Sequence, residues 1–215
     1  MFSNSLSHML RTIAAALETP VVLILLLLIA ASLVLLGSLL AELFTERRRL
    51  KVCLPRLADA LRAAQGEDLE GVIESSGLLR RQKTALLEVT RHPALTDDMR
   101  EALAIRLLDE EKQRYARIVR LSDMVAKLGP IFGLLGTLIP LGPGIIALGQ
   151  KDTFTLSNSL LTAFDTTVAG LISAAVAMVI SSIRKSWYGN DASVLEAAME
   201  CVLEVNRNAQ TKTRA

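Results

Sequence analysis

Gly129-Pro-Ile-Phe-Gly-Leu-Leu-Gly-Thr-Leu-Ile-Pro-Leu-Gly-Pro-Gly144 lies within a stretch, Leu128 to Gln150, that contains no charged residue. Half of the chain's 12 glycines and half of its 6 prolines fall between Gly129 and Gly149. As an isolated helix the segment would be poor, because Pro130 and Pro140 each remove a backbone donor. A bilayer tolerates such a segment where neighbouring helices or a water-filled path satisfy the freed carbonyls. Gly129 and Gly133 form a small-xxx-small pair, and Gly136 extends the smooth face. The pattern is that of a membrane helix built for close contact with protein.

Two further stretches are comparably poor in charge. Thr19 to Ala41 contains the run Val21-Val-Leu-Ile-Leu-Leu-Leu-Leu-Ile29, and Thr153 to Ile183 is interrupted only by Asp165. Each is long enough to cross a hydrocarbon layer of about 30 Å. The third stretch repeats the small-residue theme through Ala163, Gly170, Ala174 and Ser181. The first is too long for a signal-peptide core and lacks a small-residue cleavage site before Glu42, so it reads as a retained helix. Composition agrees: the chain is 51% hydrophobic and only 21% charged.

The charges concentrate in the middle, with 32 of the 46 lying between Glu42 and Lys127. This region lacks strand alternation and reads as helices, with breaks near Gly66, Gly71, Gly77 and His92-Pro93. Thr96-Asp97-Asp98 can cap a long helix carrying Met99, Leu103, Leu107 and Tyr115 toward the second span. The expected fold is all-α: an outside N-terminal segment over 1–18, spans over 19–41, 123–149 and 157–183, a cytoplasmic helical domain over 42–122, a short outside loop over 150–156, and a cytoplasmic C-terminal helix and tail over 184–215. Residues 1–18 are compatible with an interfacial helix or with a frayed tail.

Basic residues set the orientation. Arg47, Arg48, Arg49 and Lys51 follow the first span, Arg114, Arg117, Arg120 and Lys127 precede the second, and Arg184 and Lys185 follow the third. The excess places the middle and the C-terminus on the cytoplasmic side of a multi-pass cell-membrane protein. Trp187 and Tyr188 then belong to an aromatic belt at the inner interface.

Net charge is +2, which gives no basic surplus for nucleic acid. Two cysteines, Cys53 and Cys201, and two histidines, His8 and His92, leave no disulfide framework and no Cys/His zinc site. GxSxG, HExxH, Walker and GxGxxG signatures are absent. Neither an enzyme nor a cofactor binder is expected.

Polar residues within the spans suggest what the membrane part does. Asn158, Thr162, Thr166 and Ser173 share one face of the third span, with Thr167 beside it and Thr137 in the second span. Asp165 is the lone charge within the three charge-poor stretches, and an ionised carboxylate at a bilayer centre costs at least about 2.5–3.5 kcal/mol. It lies roughly nineteen residues, or about 28 Å of helix, from Arg184, near the outer boundary. A snorkelling or capping role and a place on an ion path both fit.

Gly133-Leu-Leu-Gly-Thr137 and Thr167-Val-Ala-Gly-Leu171 resemble the GLLGT and TxxGL motifs of the MotA/TolQ/ExbB proton-channel family, and the layout is closest to its TolQ/ExbB branch. The strong resemblance covers roughly residues 128–184; elsewhere it is one of topology. It implies a homopentamer around a dimer of a single-span partner, similar to ExbD, TolR or MotB, that carries a membrane Asp. Protons would pass that Asp along a route lined by Thr137 and Thr167, and the resulting motion would do work on another component of the inner membrane. Where ExbB and TolQ usually carry a Glu, five residues before the second threonine, this chain has Thr162, and Asp165 stands three residues later. The ion pathway is therefore assigned to Thr137, Thr167, Asp165 and Thr162, and helix packing to Gly129, Gly133, Gly136 and Gly170. The alternative is a non-conducting membrane scaffold whose cytoplasmic helices recruit partners.

The proposed sidedness predicts that Cys53 and Cys201 resist membrane-impermeant thiol reagents in intact cells and react in inverted vesicles. Labelling of either thiol from outside would reverse the orientation.

Overall fold

The computed structural model describes residues 2–45, 54–64, 67–91 and 96–214. Six helices follow one another: α1 (Phe2–Thr45), α2 (Leu54–Ala63), α3 (Glu67–Ser75), α4 (Arg80–Thr90), α5 (Asp97–Gly149) and α6 (Thr153–Arg214). No strand occurs among the described residues. Three of the helices are long and apolar enough to cross a membrane, namely α1, α5 and α6.

Two compact units share these helices. One comprises Met1–Leu40 and Val119–Ile183, the other Ala41–Ile118 and Arg184–Ala215. In the first unit α1 buries Val21, Leu25, Leu28, Ser32, Leu35 and Leu39. Their spacing of three and four residues makes a single stripe along the helix. α1 runs through Pro20 without a break, so the N-terminal segment and the first span form one helix.

α5 likewise continues through Pro130, Pro140 and Pro143. Its buried row is Gly129, Gly133, Gly136, Pro140, Gly144 and Ala147, and its glycines lie against Ser159, Thr166, Gly170 and Ala174 of α6. Backbone lies against backbone here. A Cβ on Gly170 would stand 2.5 Å from the Gly129 carbonyl oxygen and 2.8 Å from Gly133 Cα. A Cβ on Gly136 would stand 2.6 Å from Thr166 Cβ.

The link between these helices is shorter than the 150–156 loop expected. Lys151 takes a left-handed conformation, φ 60. Asp152 then accepts the Thr155 backbone N–H at 3.1 Å and the Thr155 hydroxyl at 2.6 Å, which starts α6 at Thr153. The Thr155 hydroxyl, followed by its backbone N–H, holds the Asp152 carboxyl below its ordinary value. A lowered folded pKa means that the cap's contribution is present above the unfolded value and is lost as pH falls through the folded one.

The second unit has an aliphatic core. Leu61 of α2, Ile73 of α3, Leu86 and Val89 of α4, and Leu195 and Val202 of α6 are all fully buried, with Ala104 of α5 among them. Each large side chain contributes about 1.5–3 kcal/mol on burial. Exposed ion pairs such as Arg62–Glu204 (3.3 Å) and Lys112–Glu196 (3.2 Å) add little.

A polar cluster in this unit joins three helices. Arg184 of α6, 4% exposed, pairs with Glu42 of α1 at 3.5 Å. The Tyr188 hydroxyl donates to the same carboxylate at 3.1 Å. The Tyr188 ring stacks on Tyr115 of α5 with centroids 4.6 Å apart. Burial first, then the charges of Glu111 and Asp191, push the Tyr115 hydroxyl up to about 12. Tyr188 thus spends its ring and its hydroxyl inside the protein, which the sequence reading as a belt residue did not foresee.

Other expectations also change. Gly71 lies within α3, so the chain does not break there, whereas the turn at Gly77 is present. Met99 is 59% exposed and does not join the buried face that Tyr115 belongs to. Gly66, His92, Pro93 and Cys53 lie outside the described residues.

The glycine contact predicts opposite signs for two alanine substitutions. Gly170→Ala forces two backbones apart and should destabilise by about 1–3 kcal/mol. Gly142→Ala, where a Cβ meets nothing within 4 Å, should be neutral or slightly stabilising. Thermal unfolding of the purified protein in detergent measures both.

Candidate functional site

The α5–α6 hairpin has two flanks, one on either side of its glycine contact. A helix turns about 100° per residue, so positions seven apart recur within about 20° of each other. On one flank the recurring positions are Val125, Phe132 and Ile139 of α5 with Thr162, Ala169, Val176 and Ile183 of α6. All seven are buried or half-buried. The remaining helix of this unit is α1, whose buried stripe accounts for that cover.

The other flank is open. Its rim residues Leu134 and Leu141 of α5, and Leu160, Leu171 and Met178 of α6, are between 38% and 62% exposed. Thr137 and Thr167 sit on this side, both half-buried. The cross-helix hydrogen bond from the Ser181 hydroxyl to Asp123 Oδ1 fixes the correspondence. Asp123 precedes Thr137 by fourteen residues, or two sevens, and Ser181 follows Thr167 by the same interval.

The four residues assigned to the ion pathway therefore do not converge. Thr137 and Thr167 share the open flank, while Thr162 belongs to the covered one. Asp165 is exposed. It is two residues from Thr167 on an unbroken helix, which sets the two side chains about 160° apart. A route past both threonines in one copy of the chain does not include this Asp.

The hydroxyls are occupied in a consistent way. Thr137 donates to the Leu134 carbonyl at 2.7 Å, Thr167 to Ala163 at 2.9 Å and Thr162 to Asn158 at 3.0 Å. Donation to the helix's own carbonyls is cheap, and it leaves the oxygen lone pairs facing outward as acceptors. Thr166, by contrast, fills the notch at Gly136 and is 8% exposed. It serves packing rather than the open flank.

Gly129, Gly133, Gly136 and Gly170 all lie in the contact itself. Backbone atoms there meet at van der Waals distance, so the seam between α5 and α6 admits no water.

Among the described residues no group of three or more His, Cys, Asp or Glu could hold a metal ion. No curated protein matches the chain at a significant level. Residues 75–197 match the MotA/TolQ/ExbB proton channel family, a span that runs from Ser75 through all of α5 and through α6 as far as Ala197. With more than half of its length matched, the chain belongs to the MotA/TolQ/ExbB proton channel family.

Proposed function

We propose that this chain is the proton-conducting subunit of an inner-membrane complex that couples the proton motive force to mechanical work. Five copies surround a dimer of a single-span partner whose helix carries an Asp. The N-terminus faces outside, and the helical unit with the C-terminus is cytoplasmic, in keeping with the clusters Arg47 to Lys51, Arg114 to Lys127 and Arg184-Lys185.

One observation carries this reading: Thr137 and Thr167 lie on the uncovered flank beside a seam too tight for water. The open flank leaves room for a helix from another chain, and a protonated carboxyl on it could donate to the hydroxyl oxygens, which are free to accept. Hydroxyls suit such a route because they donate and accept without fixing a charge in it. Each proton crossing the full potential releases about 2.3 kcal/mol per 100 mV, which is the energy available for work. Asp165 faces away from the threonines and has a separate role, at a boundary between copies or toward lipid.

Thr137→Val and Thr167→Val preserve shape and remove only the hydroxyl. Each should reduce proton flux in vesicles containing the whole complex by about tenfold or more, the scale of a lost proton-transfer group. Asp165→Asn should cost less. Wild-type flux in both threonine variants, with the complex intact, would remove them from the route. No flux in the unmodified complex, alongside an active family member, would favour the scaffold.

A further inference from the structure

We propose that a cavity in the second, helical unit is a binding site for a phosphate group, supplied by the headgroup of an anionic phospholipid or by free phosphate. The cavity has a volume of about 420 Å³, and all of its lining residues belong to that unit. Small-molecule sites typically measure about 300–1,000 Å³. Its walls come from four helices, and two contacts hold them in place. The stacked rings of Tyr115 of α5 and Tyr188 of α6 form one wall. The Gln82 side chain, 3% exposed, donates from Nε2 to the Asp191 carbonyl at 2.9 Å and fixes the start of α4 against α6.

Charge sets the sign of the ligand. Four arginines line the cavity against three carboxylates, those of Glu42, Glu111 and Asp191. Arg184 pairs with Glu42 at 3.5 Å and Arg114 with Glu111 at 3.6 Å. Arg80 and Arg81 are exposed, and neither forms an ion pair with a described residue. With Asp191 counted, one positive charge remains in excess. The start of α4 adds to it. Leu79 at the N-cap offers no side-chain acceptor, so the first-turn N–H groups keep the partial positive charge of a helix N-terminus. Guanidinium forks beside helix N–H groups are the donors that phosphate oxygens accept from. An excess of one charge matches a phosphodiester, which is a monoanion.

Position in the chain favours the lipid. The chain passes between the membrane unit and the helical unit three times, after Leu40, after Ile118 and after Ile183. Glu42, Ile118 and Arg184 each stand within two residues of one of these crossings, and all three line the cavity. Lipid phosphates lie where spans leave the hydrocarbon, and basic pockets at that level hold anionic headgroups. The assignment holds whether or not the spans conduct.

Two measurements on the full-length protein test the site. Native mass spectrometry after reconstitution in phosphatidylcholine nanodiscs doped with phosphatidylglycerol reads retained lipid. Thermal unfolding in detergent, with and without inorganic phosphate, reads the free anion. The unmodified protein should retain phosphatidylglycerol. Arg80→Gln combined with Arg81→Gln should lower the retained amount by about tenfold or more while helix content stays unchanged. Arg62→Gln combined with Arg207→Gln removes two exposed arginines of the same unit that do not line the cavity, and retention should persist. Equal losses in the two double variants would overturn the site in favour of general attraction between basic surface and anionic lipid. Neither retained lipid nor stabilisation by phosphate in the unmodified protein would overturn it outright. Stabilisation by phosphate that disappears in the Arg80/Arg81 variant, with no lipid retained, would support the site and assign it to a soluble phosphate.

Discussion

Backbone-to-backbone contact between α5 and α6 governs the membrane part of this protein. Lipid tails are as apolar as leucine side chains, so helices in a bilayer gain little by hiding hydrophobic surface from each other. They associate through dense van der Waals contact, and density requires small residues. Gly129, Gly133 and Gly170 bring main-chain atoms to within the space of a missing Cβ. Three consequences follow. The seam is closed, so water and ions are excluded from it. The prolines of α5 are tolerated within a helix supported by a close neighbour. Side chains that do not fit the seam, including both motif threonines, are displaced to its flanks.

The two flanks differ because α1 supplies cover for one of them. Hydroxyls on the covered side serve packing or their own helix. Those on the open side keep acceptor lone pairs directed outward, among large exposed aliphatic residues. An apolar rim around a few neutral hydroxyls suits proton transfer, since it excludes bulk water and leaves only polarisable groups along the path. The Asp123–Ser181 bond lies at the far end of the same flank.

α5 and α6 also build the second unit, where the solvent and the rules change. Outside the bilayer, apolar burial drives folding. The same α6 that presents alanine and glycine within the membrane presents Val194, Leu195, Ala198, Met199 and Val202 to the core formed with α2, α3 and α4. Within this unit the Glu42–Arg184–Tyr188 cluster ties the end of α1 to α6. Removing either charged member, Glu42 or Arg184, would leave a buried charge without its counterpart, which is far more costly than the pair's net stabilisation.

Much of this was legible in the sequence because membrane helices are specified by local rules. Length without charge gives the spans, and glycine spacing gives the contact faces. Thr137 and Thr167 are marked by the motifs around them. Those features depend on the residues within one helix, and one helix has a fixed period. What the sequence left undecided is how separate helices face each other. It grouped Thr162, Asp165 and Thr167 through the resemblance to the family's third span, yet two residues of helix set Asp165 almost opposite Thr167. It read Tyr188 as an interface aromatic and Asp123 as one charge among many. Their partners, Glu42 and Tyr115 for the first and Ser181 for the second, come from distant parts of the chain. Only tertiary packing chooses which flank α1 covers and which stays open, because that choice depends on the fit between whole helix surfaces, which no local pattern encodes.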